Sequence, residues 1–149
     1  MGTFQIWGKA LWIFLHTFSE KIQCDFFKKE RDTILSLIIE LMNNIPCDNC
    51  RSHAIKYLKQ NNFRRIQSKV ELKNFFFTFH NQINVKKNRN LFHNYDIYKT
   101  YSVQKVMSYF RTYFVHYRSN KMLFIHNKKR SDVGTKMIAF VNNNLNYFT

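Results

Sequence analysis

One proline and three glycines in 149 residues leave this chain few ways to turn tightly or to interrupt a regular element. Sheets need turn residues at the end of every short strand, whereas helices need them only at their caps, so scarce punctuation favours a helical fold. The periodicity agrees. Trp7, Leu11, Phe14, Leu15, Phe18 and Ile22 recur at helical spacing and predict a first helix. A second, over residues 30–43, carries Ile34, Leu37, Ile38, Leu41 and Met42 and is stopped by Asn43, Asn44 and Pro46. A third opens at the cysteines and runs to Gln60. Ser68-x-x-Glu71 reads as a capping box opening a fourth, through Phe75, Phe76, Phe79 and Ile83 to about Lys87. A fifth stretch lies within 94–117, with Tyr98, Val106, Phe110 and Phe114 in rough period. Beyond it, Ser119 to Arg130 reads as a basic connector, and Ser131-Asp132 as the cap of a short last helix carrying Met137, Phe140, Val141 and Leu145. No strand is predicted. One helical bundle with a C-terminal extension is the economical architecture.

The chain suits one domain, and 45% apolar residues are enough for a core. Its net charge of +15 is uneven: residues 1–85 hold 12 basic and 7 acidic side chains, residues 86–149 hold 12 and 2. Such a surplus attracts nucleic acid, an anionic membrane or an acidic partner, or is simply a solvated lysine-rich surface. No nucleic-acid fold motif accompanies it, so the solvated surface is the preferred reading and nucleic acid is disfavoured. The apolar stretch from Ile6 to Phe18 is interrupted by Lys9 and has no cleavage pattern, and no run of 18 apolar residues could span a bilayer. A soluble, cytoplasmic protein is expected.

Cys47-Asp48-Asn49-Cys50 follows Pro46 and precedes a helix-like run, which sets a dithiol on a helix N-terminus. Unpaired backbone N–H groups and the helix dipole stabilise a thiolate there. Three cysteines do not make a secreted disulfide framework, so the pair points to redox or metal chemistry. A zinc site would need further ligands, yet the six histidines contain no His-x₃₋₅-His pair and the remaining cysteine is Cys24. A thioredoxin-like fold would need strands around the dithiol helix. Cys24 itself reads as a buried thiol at the end of the first helix, or as an intermolecular disulfide.

Two other segments carry polar groups beside aromatic stripes. Gly8, Trp12 and His16 are spaced i, i+4, i+8, along one line of the first helix. Glycine there lets a flat ligand approach closely; the bland alternative is a packed tryptophan with a core histidine bonded to a backbone carbonyl. His80, Asn81 and Asn84 sit among phenylalanines and Ile83, where each needs a partner unless it faces solvent. A heteroaromatic ligand with a phosphate tail would use Trp12 and His16 for stacking, His80, Asn81 and Asn84 for hydrogen bonds, and Lys86 or Lys87 for phosphate. Beside a dithiol, that permits electron transfer to a flavin.

The motifs Gly8-x-x-x-Trp12-x-x-Leu15-His16-Thr17, Pro46-Cys47-x-x-Cys50-x-x-His53 and His80-Asn81-x-Ile83-Asn84-x-Lys86 resemble, in order and approximate spacing, the Erv/ALR FAD-linked sulfhydryl oxidases. The resemblance covers residues 4–105 and is nearest to the compact members encoded by large DNA viruses. It implies an all-α fold, a four-helix bundle with a short fifth helix; the rest of the chain is unmatched, and an oxidase domain over residues 1–118 followed by a basic helical extension over 119–149 is expected. It further implies FAD in the mouth of the bundle, a homodimer, and molecular oxygen as electron acceptor, giving hydrogen peroxide. Cys50 would be the flavin-proximal cysteine and Cys47 the one that trades disulfides with a dithiol substrate protein, a thioredoxin-like or small Cys-x-x-Cys carrier among the candidates. Gly8, Trp12, His16, His53, His80, Asn81, Ile83, Asn84, Lys86, Lys87 and Tyr98 would line the cofactor, with no metal. The second cysteine pair of many relatives is absent, which favours direct reaction with the partner's dithiol. Viral kinship would put the protein in host cytoplasm or virion.

Overall fold

The computed structural model describes residues 3–92, 94, 96–118 and 120–149; Ser119, first residue of the expected extension, lies outside the described residues. Among these the chain forms seven α-helices and no strand: α1 (Thr3–Lys21), α2 (Cys24–Lys29), α3 (Arg31–Met42), α4 (Asp48–Gln60), α5 (Lys69–Lys86), α6 (Val103–Phe110) and α7 (Phe124–Asn142). The predicted stripes face inward. Phe14, Leu15, Ile34, Ile38, Leu41 and Phe76 are all fully buried in one core that every α-helix joins.

Local signals set most boundaries. The Ser68 hydroxyl accepts from the Glu71 N–H at 3.2 Å, while the Glu71 carboxylate accepts from Gln67 N–H at 3.0 Å, one residue earlier than a reciprocal box requires. Asn62 and Asn88 take positive φ, 52° and 54°, just beyond α4 and α5, where a short polar side chain tolerates the left-handed turn.

Two boundaries differ from the sequence expectation. The first helix was to carry Cys24 at its end, but α1 stops near Ile22 and Cys24 opens the separate α2, exposed rather than buried. The C-terminal segment causes the break. Gln23 N–H donates to Tyr147 O at 2.8 Å, Thr149 N–H to Lys21 O at 2.9 Å, and Ile22 and Phe148 form an isolated antiparallel bridge, so the backbone leaves the helix to pair there. Tyr147 stacks on Phe26 with centroids 4.3 Å apart.

The second difference is α7. It starts at Phe124, not at the Ser131-Asp132 cap, takes in seven of the twelve residues of the expected basic connector, and ends at Asn142, so Leu145 falls in a separate 3-10 turn beyond it. Arg130 explains why. Fully buried, it donates to Phe114 O at 3.2 Å, to Asn127 Oδ1 at 2.9 Å and to Tyr117 O. A count of cations cannot separate one such hydrogen-bonded core arginine from its solvated neighbours Lys128 and Lys129. The carbonyls that Arg130 meets belong to and follow a π-helical turn, Arg111–Val115, that continues α6. Here α7 approaches closely: a Cβ on Gly134 would stand 2.5 Å from Val115 Cγ2.

Candidate active site

Cys47 is the N-cap of α4, and its sulfur accepts from the Cys50 N–H at 3.3 Å. Pro46 keeps the preceding residue from continuing α3, so the chain reverses and presents the first turn of α4 to the edge of the core. The two cysteines form a disulfide with Cα atoms 5.2 Å apart. Both are half-buried and both pack against the core, so burial does not rank them.

From the disulfide, the inner face of α4 continues through His53, Ala54 and Tyr57, one and two turns on. Tyr57 stacks on Phe79 of α5 with centroids 4.1 Å apart, and Phe79 stands edge-on to Trp12 of α1 at 5.5 Å. Trp12 lies parallel to His80, 4.2 Å away with an interplanar angle of 1°. His16 stacks on Tyr98 at 4.9 Å. An aromatic wall thus runs from the dithiol helix across α5 to α1 and ends on the short turn Asp96–Lys99.

The wall contains a histidine pair. His16 Nε2 and His80 Nδ1 are 2.8 Å apart, so one ring donates to the other. Burial, and then the proximity of His80, push the His16 imidazole down to about 3. Burial, and then Arg89, push His80 down to about 4. Both rings are therefore neutral at pH 7, so they can stack on another ring without burying a charge. Burial, and then Tyr101, raise the Tyr98 phenol to about 12, so it keeps its proton.

Asn81 does something the motif did not disclose. Its amide donates to Phe92 O at 2.8 Å and accepts from Phe92 N–H at 2.7 Å, clamping the backbone after α5. Asn84, buried, donates to the Asn81 oxygen at 3.2 Å. On the next face of α5, His53 Nε2 donates to Gln82 Oε1 at 3.0 Å and the Lys86 ammonium approaches His53 Nδ1 at 3.5 Å. Gln82 and Lys86 are i, i+4, which was a readable signal, but nothing local pointed to His53 as their partner. Ile83 is half-buried among the core aromatics. Lys87 has its pKa lowered by burial and then by Arg89 and Lys86, so three cations crowd the C-terminal end of α5. Gly8, one turn before Trp12, faces open space: no heavy atom lies within 4 Å of where a Cβ would sit. Of the residues expected around a cofactor, the structure brings Trp12, His16, His80 and Tyr98 into one wall, links Asn81 and Asn84 behind it, and sets His53 beside Lys86. Gln82, Phe92 and Arg89 join them unanticipated.

Among the described residues no three His, Cys, Asp or Glu side chains converge as a metal site, and no helix is long and apolar enough to cross a membrane.

Known proteins are similar to the chain in sequence. The FAD-linked sulfhydryl oxidase of African swine fever virus is 27% identical over 112 residues, covering 73% of this chain and 92% of that protein. A putative FAD-linked sulfhydryl oxidase of invertebrate iridescent virus 3 is 29% identical over 86 residues, 57% of this chain and 58% of its own. One from invertebrate iridescent virus 6 is 26% identical over 94 residues, 58% of this chain and 83% of its own. No solved structure matches the chain. The family model of Erv1/Alr takes in residues 9–102, which is the stretch from α1 to the cap of α6 that builds both the dithiol turn and the aromatic wall; the chain belongs to the Erv1/Alr family.

Proposed function

We infer that this chain is an FAD-linked sulfhydryl oxidase that makes disulfide bonds in a partner protein. The observation that carries the reading is the Cys47–Cys50 disulfide at the N-cap of α4, on the helix whose inner face leads to the Trp12–His80 stack. A partner thiolate attacks Cys47 Sγ; the S–S bond breaks and Cys50 leaves with the electron pair as thiolate. The partner's second thiolate attacks the partner sulfur of the mixed disulfide and expels Cys47. The partner now holds a disulfide, and Cys47 and Cys50 hold its two electrons. The first turn of α4 stabilises these thiolates, with the Cys50 N–H already aimed at Cys47 Sγ. When bound, FAD supplies the two-electron oxidation that re-closes the disulfide and the transfer to oxygen that yields hydrogen peroxide.

The residues fit that group. Trp12 and His80 are neutral, partly accessible rings, His16 and Tyr98 are buried rings packed with them, and Gly8 has open space around it. The cations at the end of α5, Lys86 and Lys87 with Arg89, suit a pyrophosphate. In this reading Asn81 acts by holding the Phe92 segment, Asn84 by orienting Asn81, His53 by orienting Lys86, and Ile83 by packing behind the rings. Cys50 faces the cofactor and Cys47 the partner. The oxidase unit is residues 1–118, the rest a helical extension that covers it, and the protein works as a homodimer in the cytoplasm of the host cell. A small carrier with its own Cys-x-x-Cys suits the single, arm-free dithiol.

The purified protein should be yellow, release a flavin on denaturation, and consume dithiothreitol with production of peroxide. A protein that stays colourless after refolding with FAD sinks the reading.

A further inference from the structure

The N-terminal end of α7 breaks the ordinary rule of burial. Phe124 is 82% exposed, with Leu123 and Ile125 beside it at 67% and 60%. Single exposed apolar side chains are common; three in a row at the tip of a folded helix are not. The tip is held in place. One and a half turns on, Arg130 ties α7 to the carbonyls of Phe114 and Tyr117, and further along Gly134 lets the helix seat against Val115.

The sequence leading into and through this tip is cationic. From Ile97 to Ser131 the sequence has eight Lys or Arg and no Asp or Glu. Lys128 and Lys129 are i+4 from Phe124 and Ile125, so they lie on the same faces of α7, about 6 Å further from the tip. Lys128 pairs with Asp132 at 2.8 Å, but both are more than half exposed and the pair is screened by water. The positive end of the helix dipole points outward with the apolar residues.

We propose that this end of α7 docks on an anionic lipid surface. Leu123, Phe124 and Ile125 enter the boundary between headgroups and acyl chains, and Lys128 and Lys129, a turn behind, meet the lipid phosphates. Apolar side chains leading and cations following is the order in which a bilayer presents its own layers. A second copy of the chain is a poor occupant, because it would bring the same strongly cationic stretch against itself. Among the described residues no helix is long and apolar enough to span, and the docking is on the surface rather than across it.

The test is co-sedimentation of the full chain with vesicles of phosphatidylcholine, with and without about 30% phosphatidylserine. Binding is expected to the anionic vesicles and to weaken as salt rises from about 50 to about 300 mM. Phe124→Ser should lower the partition at least about tenfold, and Lys128→Gln or Lys129→Gln about fivefold each. All three residues are exposed, so the variants should keep the parent's dichroism spectrum and its turnover of dithiothreitol. Absence of anionic-vesicle binding at low salt, or binding indifferent to Phe124→Ser, overturns the proposal. So does a dimer in sedimentation equilibrium that Phe124→Ser dissociates, which would assign the surface to a second copy.

Discussion

The molecule buries polar groups in two regions, and does so in opposite ways. Under α7, Arg130 is a full charge in the core, satisfied by two backbone carbonyls and a side-chain amide within 17 residues of it in sequence. In the α1–α5 wall, His16 and His80 are neutral, bonded chiefly to each other across 64 residues, and laid face-on against Trp12 and Tyr98. The first arrangement leaves a charged group nothing to do but hold two elements together. The second packs flat, uncharged rings into a stack that Tyr57 of the dithiol helix reaches through Phe79, at the expense of two imidazoles that cannot easily take a proton. Buried polarity thus marks structure under α7 and, in the proposed reading, a cofactor site in the α1–α5 wall.

The sharpest break in that comparison is at the dithiol itself. Cys47→Ser and Cys50→Ser should each lower turnover by about three orders of magnitude or more, because the two sulfurs act as a unit. Their spectra should differ. Cys47→Ser leaves a Cys50 thiolate that nothing recaptures, and a long-wavelength absorbance band should appear with the flavin bound; Cys50→Ser should lack it. The reverse pattern would exchange the two roles.

Removing the saturated cation should cost stability and spare the flavin. Arg130→Met strands carbonyls in the core, and a loss of about 3–5 kcal/mol in urea unfolding is expected. His80→Ala should do the opposite, weakening FAD retention at least about tenfold while costing less stability than the arginine change. Equal effects of both variants on both readouts would erase the distinction between the two regions.

The histidine pair also sets a pH dependence. Both folded pKa values, about 3 and about 4, lie below the unfolded 6.5, so the unfolded chain binds more protons throughout that interval. Stability is therefore fully present above about pH 6.5 and falls as pH drops toward 4, by at least about 1.4 kcal/mol per pH unit. Melting temperature against pH measures it, and the slope should flatten in His16→Phe. A flat profile between these limits would mean that the rings are not buried neutral.

Smaller effects sharpen the contrast. Gly134→Ala adds a methyl 2.5 Å from Val115 Cγ2, and after the gain in helix propensity a net loss of about 1–2 kcal/mol should remain, with cofactor binding untouched. Cys24→Ser should change neither turnover of dithiothreitol nor stability measurably, since the thiol is exposed and outside the wall. Loss of turnover in that variant, with FAD retained, would contradict a two-cysteine cycle.

Most of the helices, their inward stripes and the dithiol at a helix start were legible in the chain, because each depends on residues within one or two turns of one another; the short α2 was not. Proline before Cys47, serine three before Glu71 and apolar spacing along α1 act locally and need no partner. The motif residues of the wall were legible too, but not what they do there. That Asn81 clamps Phe92, that His53 bridges to Gln82 and Lys86, and that His16 meets His80 depends on packing α1, α4 and α5 together, and no local pattern encodes the partner. The same holds for the break after α1, made by a C-terminal strand-like pairing more than 120 residues away, and for the early start of α7, set by the carbonyls of a π-turn. Backbone periodicity follows from neighbours in sequence; the satisfaction of buried polar groups follows from neighbours in space, and only the tertiary structure supplied those.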